Sequence, residues 1–133
     1  MPTRYRQDVM DCCSGQMMMT VDRDKCLLLY PMPEWEVIEQ KLAALPNVDD
    51  DTRILQRLLV GYATPIEMDA QGRMLVPPPL REFAAFDKRV MMLGQINKFE
   101  LWSEARWMEK TESWLSGRDG NGGRSSALDS LSL

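Results

Sequence analysis

The chain repeats itself, and this limits its fold more than any other feature. Pro2-Thr3-Arg4-Tyr5-Arg6-Gln7 returns 75 positions later as Pro77-Pro78-Pro79-Leu80-Arg81-Glu82, which pairs proline with proline, Arg6 with Arg81 and Gln7 with Glu82. Leu27-Leu28-Leu29-Tyr30-Pro31-Met32-Pro33-Glu34-Trp35 returns 72 positions later as Phe99-Glu100-Leu101-Trp102-Ser103-Glu104-Ala105-Arg106-Trp107, so the second copy is three residues shorter in its middle. Two copies of one supersecondary unit predict a pseudo-symmetric fold whose halves bury each other. The second copy also carries an opening stretch, Asp69-Ala70-Gln71-Gly72-Arg73-Met74-Leu75-Val76, whose counterpart in the first copy would fall before Met1.

The local signals give an α+β chain. Pro2 to Cys13 reads as a turn and a short helix. Gln16–Val21 and Cys26–Tyr30 read as strands around the turn Asp22-Arg23-Asp24-Lys25, with the methionines buried. Pro33-Glu34-Trp35 opens a helix with proline near its first position and acids in its first turn. Trp35, Ile38, Leu42 and Leu45 form its buried stripe, and Pro46-Asn47 stops it. After Asp49-Asp50-Asp51-Thr52, a second helix turns Ile54, Leu55, Leu58 and Leu59 inward and Arg53 and Arg57 to water, and leaves through Gly61. Ile66–Asp69 and Arg73–Val76 read as two strands of a tight hairpin, and Pro77-Pro78-Pro79 feeds a short helix ending near Ala85. Val90–Leu93 and Phe99–Trp102 are the next strand pair. Ser103 is a candidate N-cap for a helix with Trp107 and Trp114 on one face. Residues 116–133, rich in Gly, Ser and Asn in their first part, read as a flexible tail.

Composition removes several function classes. There is no histidine, so the usual general base near neutral pH and the commonest metal ligand are missing. Cys12, Cys13 and Cys26 are odd in number and lack CxxC spacing, which argues against a disulfide framework or zinc site and for small buried hydrophobes. No P-loop or dinucleotide fingerprint is present. The expectation is a non-enzyme with no cofactor, metal or small-molecule substrate. No run of 18 apolar residues exists, so no membrane partner is expected, and the reading is a cytoplasmic protein.

The net charge of −4 argues against nucleic acid if taken whole, but the charge is unevenly placed. Glu34 to Thr52 holds six acids and one base. Gly72 to Lys98 holds five bases (Arg73, Arg81, Lys88, Arg89, Lys98) and two acids. The sign of a local patch matters more to binding than the sum.

The turn Asp69-Ala70-Gln71-Gly72-Arg73 carries the most specific chemistry. Asp at the first turn position accepts from the turn amides, and Gly three residues later supplies the positive φ that closes a bulged hairpin. Arg73 then starts the outgoing strand near the Asp69 carboxylate. A positioned guanidinium reads guanine O6 and N7 bidentately, or clamps phosphate.

This turn with Pro77, the segment Cys26–Glu36, Gln56-Arg57-Leu58-Leu59-Val60-Gly61-Tyr62-Ala63 and Leu93–Trp102 together resemble the MraZ family, over roughly residues 2 to 115. The resemblance implies two tandem AbrB-like repeats, each a swapped-hairpin, small β-barrel unit with flanking helices: residues 1–60, lacking the opening hairpin, and residues 61–115. It implies a DNA-binding transcriptional regulator, usually a repressor of the division and cell-wall gene cluster. Such a protein would bind double-stranded DNA at short G-rich promoter repeats as a ring-shaped homo-oligomer associated with the nucleoid. The family's Asp-x-x-x-Arg signature falls here on Asp69 and Arg73, which makes Arg73 the candidate DNA contact and Asp69 and Gly72 the residues that shape its turn. Arg4, Arg6 and Arg81 are candidate phosphate contacts.

Two explanations of the missing first signature stay open: a start codon placed too late, since Met1 aligns with Val76, or a shortened gene. Loss of that hairpin would open sheet edges, expose Met17 to Met19 and leave a less stable, more aggregation-prone form. The alternative function is an interaction or antitoxin-like module that co-assembles with full-length subunits without binding DNA well.

Overall fold

A computed structural model describes residues 1–45, 49–87 and 89–117. The repeated prolines open equivalent helices with almost the same backbone. Pro2 (φ −56°, ψ 144°) precedes α1, Thr3–Cys13, and Pro77 (φ −59°, ψ 145°) precedes α4, Pro78–Phe83. Pro31 repeats this geometry before α2, Met32–Ala44. Proline has its φ preset and no amide to leave unbonded at a helix start. The shortening of the second copy falls in this helix, eleven residues in α1 against six in α4. Both helices are followed by a left-handed residue, Ser14 (φ 54°) and Ala85 (φ 56°).

The strands are β1, Gln16–Val21; β2, Leu27–Pro31; β3, Thr64–Glu67; β4, Val90–Gly94; and β5, Phe99–Ser103. They form one antiparallel sheet in the order β3-β1-β2-β5-β4. The copies meet where β2 pairs with β5, through Leu27↔Leu101, Leu28↔Glu100 and Leu29↔Phe99. Under the 72-residue repeat, Leu27 is equivalent to Phe99 and Leu29 to Leu101. Exchanging the two strands therefore returns the same register, with a local twofold at the Leu28–Glu100 pair. β1 and β4 flank this centre as equivalents, and β3 adds a further strand beside β1. The core draws on both copies: Val9, Met17, Met19, Val21, Leu27 and Leu29 pack with Ile66, Met68, Leu80, Ala84, Phe99 and Leu101.

Met17 and Met19 are fully buried, contrary to the exposure expected for an incomplete first repeat. The reason is that β1 has neighbours on both sides: Met17 pairs with Pro31 and Ile66, and Met19 with Leu29 and Thr64. The sheet's outer strands are instead β3 and β4.

The helices over the first copy are tied by polar contacts. α3, Asp50–Gly61, is capped by Asp49, whose Oδ1 accepts the Thr52 amide at 2.7 Å. The Gln56 amide donates to the Leu42 carbonyl at 2.8 Å, which links α3 to α2. Thr20 is completely buried, and its hydroxyl donates to the Leu59 carbonyl at 2.6 Å, so β1 is joined to the end of α3.

Trp35 and Leu42 are buried as the helical stripe requires, but Leu45 is 42% exposed. It lies just past the end of α2 in extended conformation, where the helical spacing no longer applies. Ile54 is also exposed, so the inner face of α3 is narrower than the apolar pattern suggests. Of the cysteines only Cys26 is buried; Cys13 is half-buried and Cys12 is exposed, because the last turn of α1 directs Cys12 outward. The expected stop at Pro46-Asn47 lies outside the described residues, and so does the tail from Arg118 onward.

The molecule divides into two compact units, Met1–Ser103 and a second that begins at Glu104. The second contains α5, Glu104–Ser116. Within it Trp107 and Trp114 share a face as their spacing predicts, with ring centroids 6.0 Å apart in edge-to-face contact. No helix among the described residues is long and apolar enough to cross a membrane.

Candidate nucleic-acid interface

The turn after β3 is built around one carboxylate. Asp69 Oδ1 accepts the backbone amides of Gln71 at 2.9 Å and Arg73 at 2.8 Å. Its Oδ2 accepts Arg73 Nε at 2.9 Å. The main chain closes the turn as well: the Gly72 amide donates to the Asp69 carbonyl at 2.9 Å, and the Asp69 amide to the Arg73 carbonyl at 3.0 Å. Gly72 has φ +80°, the positive value that the bulged turn requires. The Arg73 amide above all, helped by the Arg73 guanidinium and the Gln71 amide, holds the Asp69 carboxyl below the usual carboxylate range.

Arg73 is thus oriented without being covered. Its side chain is 77% exposed, yet Nε is fixed by Asp69 and one terminal nitrogen donates to Gln71 Oε1 at 3.3 Å. The other terminal nitrogen has no partner among the described residues. A guanidinium held along one edge presents its remaining donors in a defined plane, the property needed for bidentate recognition of a base edge or a phosphate.

Arg6 lies against the inner side of this turn. A Cβ built on Gly72 would stand 2.5 Å from Arg6 Nε, so the close approach of the two needs glycine. Arg6 also donates to the Met1 carbonyl at 3.2 Å, and the Met1 ammonium donates to the Gly72 carbonyl at 2.9 Å. Arg6 Nε is buried and has no hydrogen-bond partner among the described residues. Three positive groups, the Met1 ammonium, Arg6 and Arg73, therefore gather around one turn.

Asp69, Gly72, Arg73 and Arg6 come together in the structure. Arg81 does not join them by any hydrogen bond or ion pair; it stands exposed in the last turn of α4. Arg4 lies on α1. Of the other bases in the cationic stretch, Arg89 is exposed, Lys98 is half-buried and Lys88 lies outside the described residues.

The hairpin differs from its expected form. The incoming strand is Thr64–Glu67, and Arg73–Val76 forms no strand. β3 pairs with β1 through Gln16↔Glu67 to Met19↔Thr64, and the Met68 amide continues this edge by donating to the Gly15 carbonyl at 2.9 Å. After the single bond from the Asp69 amide to the Arg73 carbonyl, the outgoing arm runs toward Pro77 and α4. Met74 and Val76 still pack against the core while Leu75 is 78% exposed, so the alternation survives in burial without a ladder.

Two contributors were not singled out from the sequence. Gln71 is one, and its signal is an amide two residues before the arginine it must reach. The Met1 ammonium is the other; it contacts Gly72 across 71 residues, and no local pattern announces such a contact.

The described residues contain no group of three or more His, Cys, Asp or Glu side chains able to hold a metal ion. Comparison with known proteins points in one direction. A family model described as "MraZ protein, putative antitoxin-like" matches twice, over residues 1–58 and 59–116. A Transcriptional regulator MraZ from Thioalkalivibrio sulfidiphilus (strain HL-EbGR7) is 54% identical over 133 residues, covering 100% of this chain and 89% of that protein. The protein of the same name from Pseudomonas aeruginosa (strain LESB58) is 48% identical over 134 residues, again covering 100% of this chain and 89% of the relative. That of Halorhodospira halophila (strain DSM 244 / SL1) is 50% identical over 115 residues, which is 86% of this chain and 76% of the relative. With two repeats matched across an α+β fold, the chain belongs to the MraZ family.

Proposed function

We propose that this protein is a transcriptional regulator that binds double-stranded DNA through the Asp69–Arg73 turn and acts without catalysis. The observation that carries this reading is the state of Arg73, exposed to solvent yet held by its Nε against Asp69. The name shared by its relatives, transcriptional regulator, supports the same reading. Short G-rich promoter repeats are the proposed operator, the division and cell-wall gene cluster the proposed target, and repression the proposed outcome. The subunit is anionic overall, so few phosphates can be neutralised by one copy. Affinity then comes from several subunits of a homo-oligomeric ring that engage spaced repeats together. Such a protein works in the cytoplasm, on the nucleoid.

The test is fluorescence anisotropy with a duplex carrying spaced G-rich repeats and a shuffled duplex of the same composition. The wild type favours the repeat duplex, and its affinity falls steeply with salt. Arg73→Ala weakens binding by about 1–3 kcal/mol for each base contact it makes. Equal binding of both duplexes removes sequence recognition, and unchanged binding by the variant removes Arg73 from the interface.

The second reading is an interaction module of the antitoxin-like kind that the family description names. Exposed Leu45, Ile54 and Val60 on and beside the α2 and α3 helices favour it. Association through such a surface would be insensitive to the salt that dissociates DNA.

A further inference from the structure

Cys12 and Cys13 close α1, and their Sγ atoms lie 2.8 Å apart. Both thiols also point at the Val9 carbonyl, at 3.7 Å and 3.2 Å. Cys12 is exposed and Cys13 half-buried, so the pair is open to solutes, whereas Cys26 is buried. Nothing in the DNA-binding reading uses these two thiols.

Their adjacency selects what they can bind. A direct disulfide would join Cα atoms that a trans peptide fixes at about 3.8 Å. Disulfides favour about 4.4–6.8 Å, so the direct bond is strained on a helix. Zinc sites take about four ligands, and no further His, Cys, Asp or Glu group completes such a site among the described residues. A soft ion that prefers two thiolates in line would need its sulfurs on opposite sides, which adjacent residues of one helical turn do not allow. A pyramidal soft centre fits: it takes both sulfurs on one side and directs its third substituent to solvent.

We propose that Cys12 and Cys13 form a vicinal dithiol site that captures a monosubstituted trivalent arsenical as a cyclic dithioarsenite. Two As–S bonds form as the arsenic–oxygen bond breaks, and the two thiol protons leave with the oxygen as water. Arsenic stays trivalent and neither sulfur is oxidised. Partial burial, the neighbouring Cys13 thiol and the Asp8 and Asp11 carboxylates push Cys12 up to about 11. Cys12 therefore keeps its proton at neutral pH, and that proton is one of the two that leave with the oxygen.

The test uses the full chain, reduced, with phenylarsine oxide as the probe and intact-mass spectrometry as the readout. The expected product is one adduct per chain with loss of one water, stable to excess monothiol and reversed by 1,2-ethanedithiol. Cys12→Ser and Cys13→Ser each weaken capture by about 100-fold or more, because the second attachment is intramolecular. Cys26→Ser leaves it unchanged. If either serine variant fails to fold, maleimide protection in the wild type decides: phenylarsine oxide shields Cys12 and Cys13 together in mapped peptides and leaves Cys26 as it was. An adduct held by one thiol, an adduct on Cys26, or full capture by Cys12→Ser overturns the proposal.

Discussion

Asp69 holds Arg73 at two points, the amide through Oδ1 at 2.8 Å and the side-chain Nε through Oδ2 at 2.9 Å. The first contact shapes the turn and the second aims the side chain, so the two roles can be separated chemically. Asn in place of Asp keeps an oxygen for the turn amides but has no second oxygen for Nε. In the anisotropy assay, Asp69→Asn should keep the turn and lose part of the affinity for DNA. Asp69→Ala should lose both and fall toward the level of Arg73→Ala. Equal loss in both variants would mean that aiming the guanidinium contributes nothing beyond the turn itself.

The same carboxylate gives a pH prediction. Its folded pKa is depressed, so its stabilising contribution is fully present above the ordinary carboxylate range and is lost as pH falls through the lower folded value. Between pH 8 and 5 the turn should not change. Carbon-detected NMR of the Asp69 carboxyl should show a midpoint below the ordinary carboxylate range, and the Arg73 Nε resonance should move with it. A midpoint at or above the usual value would contradict the geometry.

Three glycines should respond differently to alanine. Gly72 is left-handed and sits against Arg6, so Gly72→Ala should cost about 1–2 kcal/mol for the backbone alone. Gly15→Ala should cost more, since its Cβ would meet the rigid carbonyl of Met68. Gly61 is in α3 with nothing near a Cβ among the described residues, and Gly61→Ala should stabilise by about 0.4–1 kcal/mol. Urea unfolding of the three variants checks the order.

Burial separates Met19 from Leu75. Met19→Ala should cost about 2–5 kcal/mol, because β1 is enclosed on both edges and the site cannot easily collapse. Leu75→Ala should stay within about 0.5 kcal/mol. A large loss at Leu75 would show that Arg73–Val76 is held as a strand after all.

Much of this protein is legible in its residues because the signals involved are local. Proline fixes φ wherever it falls, so Pro2, Pro33 and Pro77 announce three of the helix starts. Short apolar runs bounded by polar turns mark β1, β2, β4 and β5. The Asp69–Arg73 turn is legible because its partners are two and four residues apart, and so is the Trp107–Trp114 contact at a helical interval. Leu45 misleads because helical spacing says nothing about where the helix stops. Arg73–Val76 misleads for a different reason: alternation reports which side chains are buried and is silent on whether a neighbouring strand exists.

The order of residues alone determined the two copies, their helices and strands, and a turn able to hold one arginine by one aspartate. Only the tertiary structure decided that the copies join through β2 and β5 about Leu28 and Glu100, and that β3 crosses to cover β1. It likewise decided that Arg6 and the chain's first ammonium come to rest against Gly72. The physical reason is range. Dihedral preferences and side-chain periods act over a few residues, whereas strand partners are chosen by burying apolar surface contributed from both ends of the chain at once.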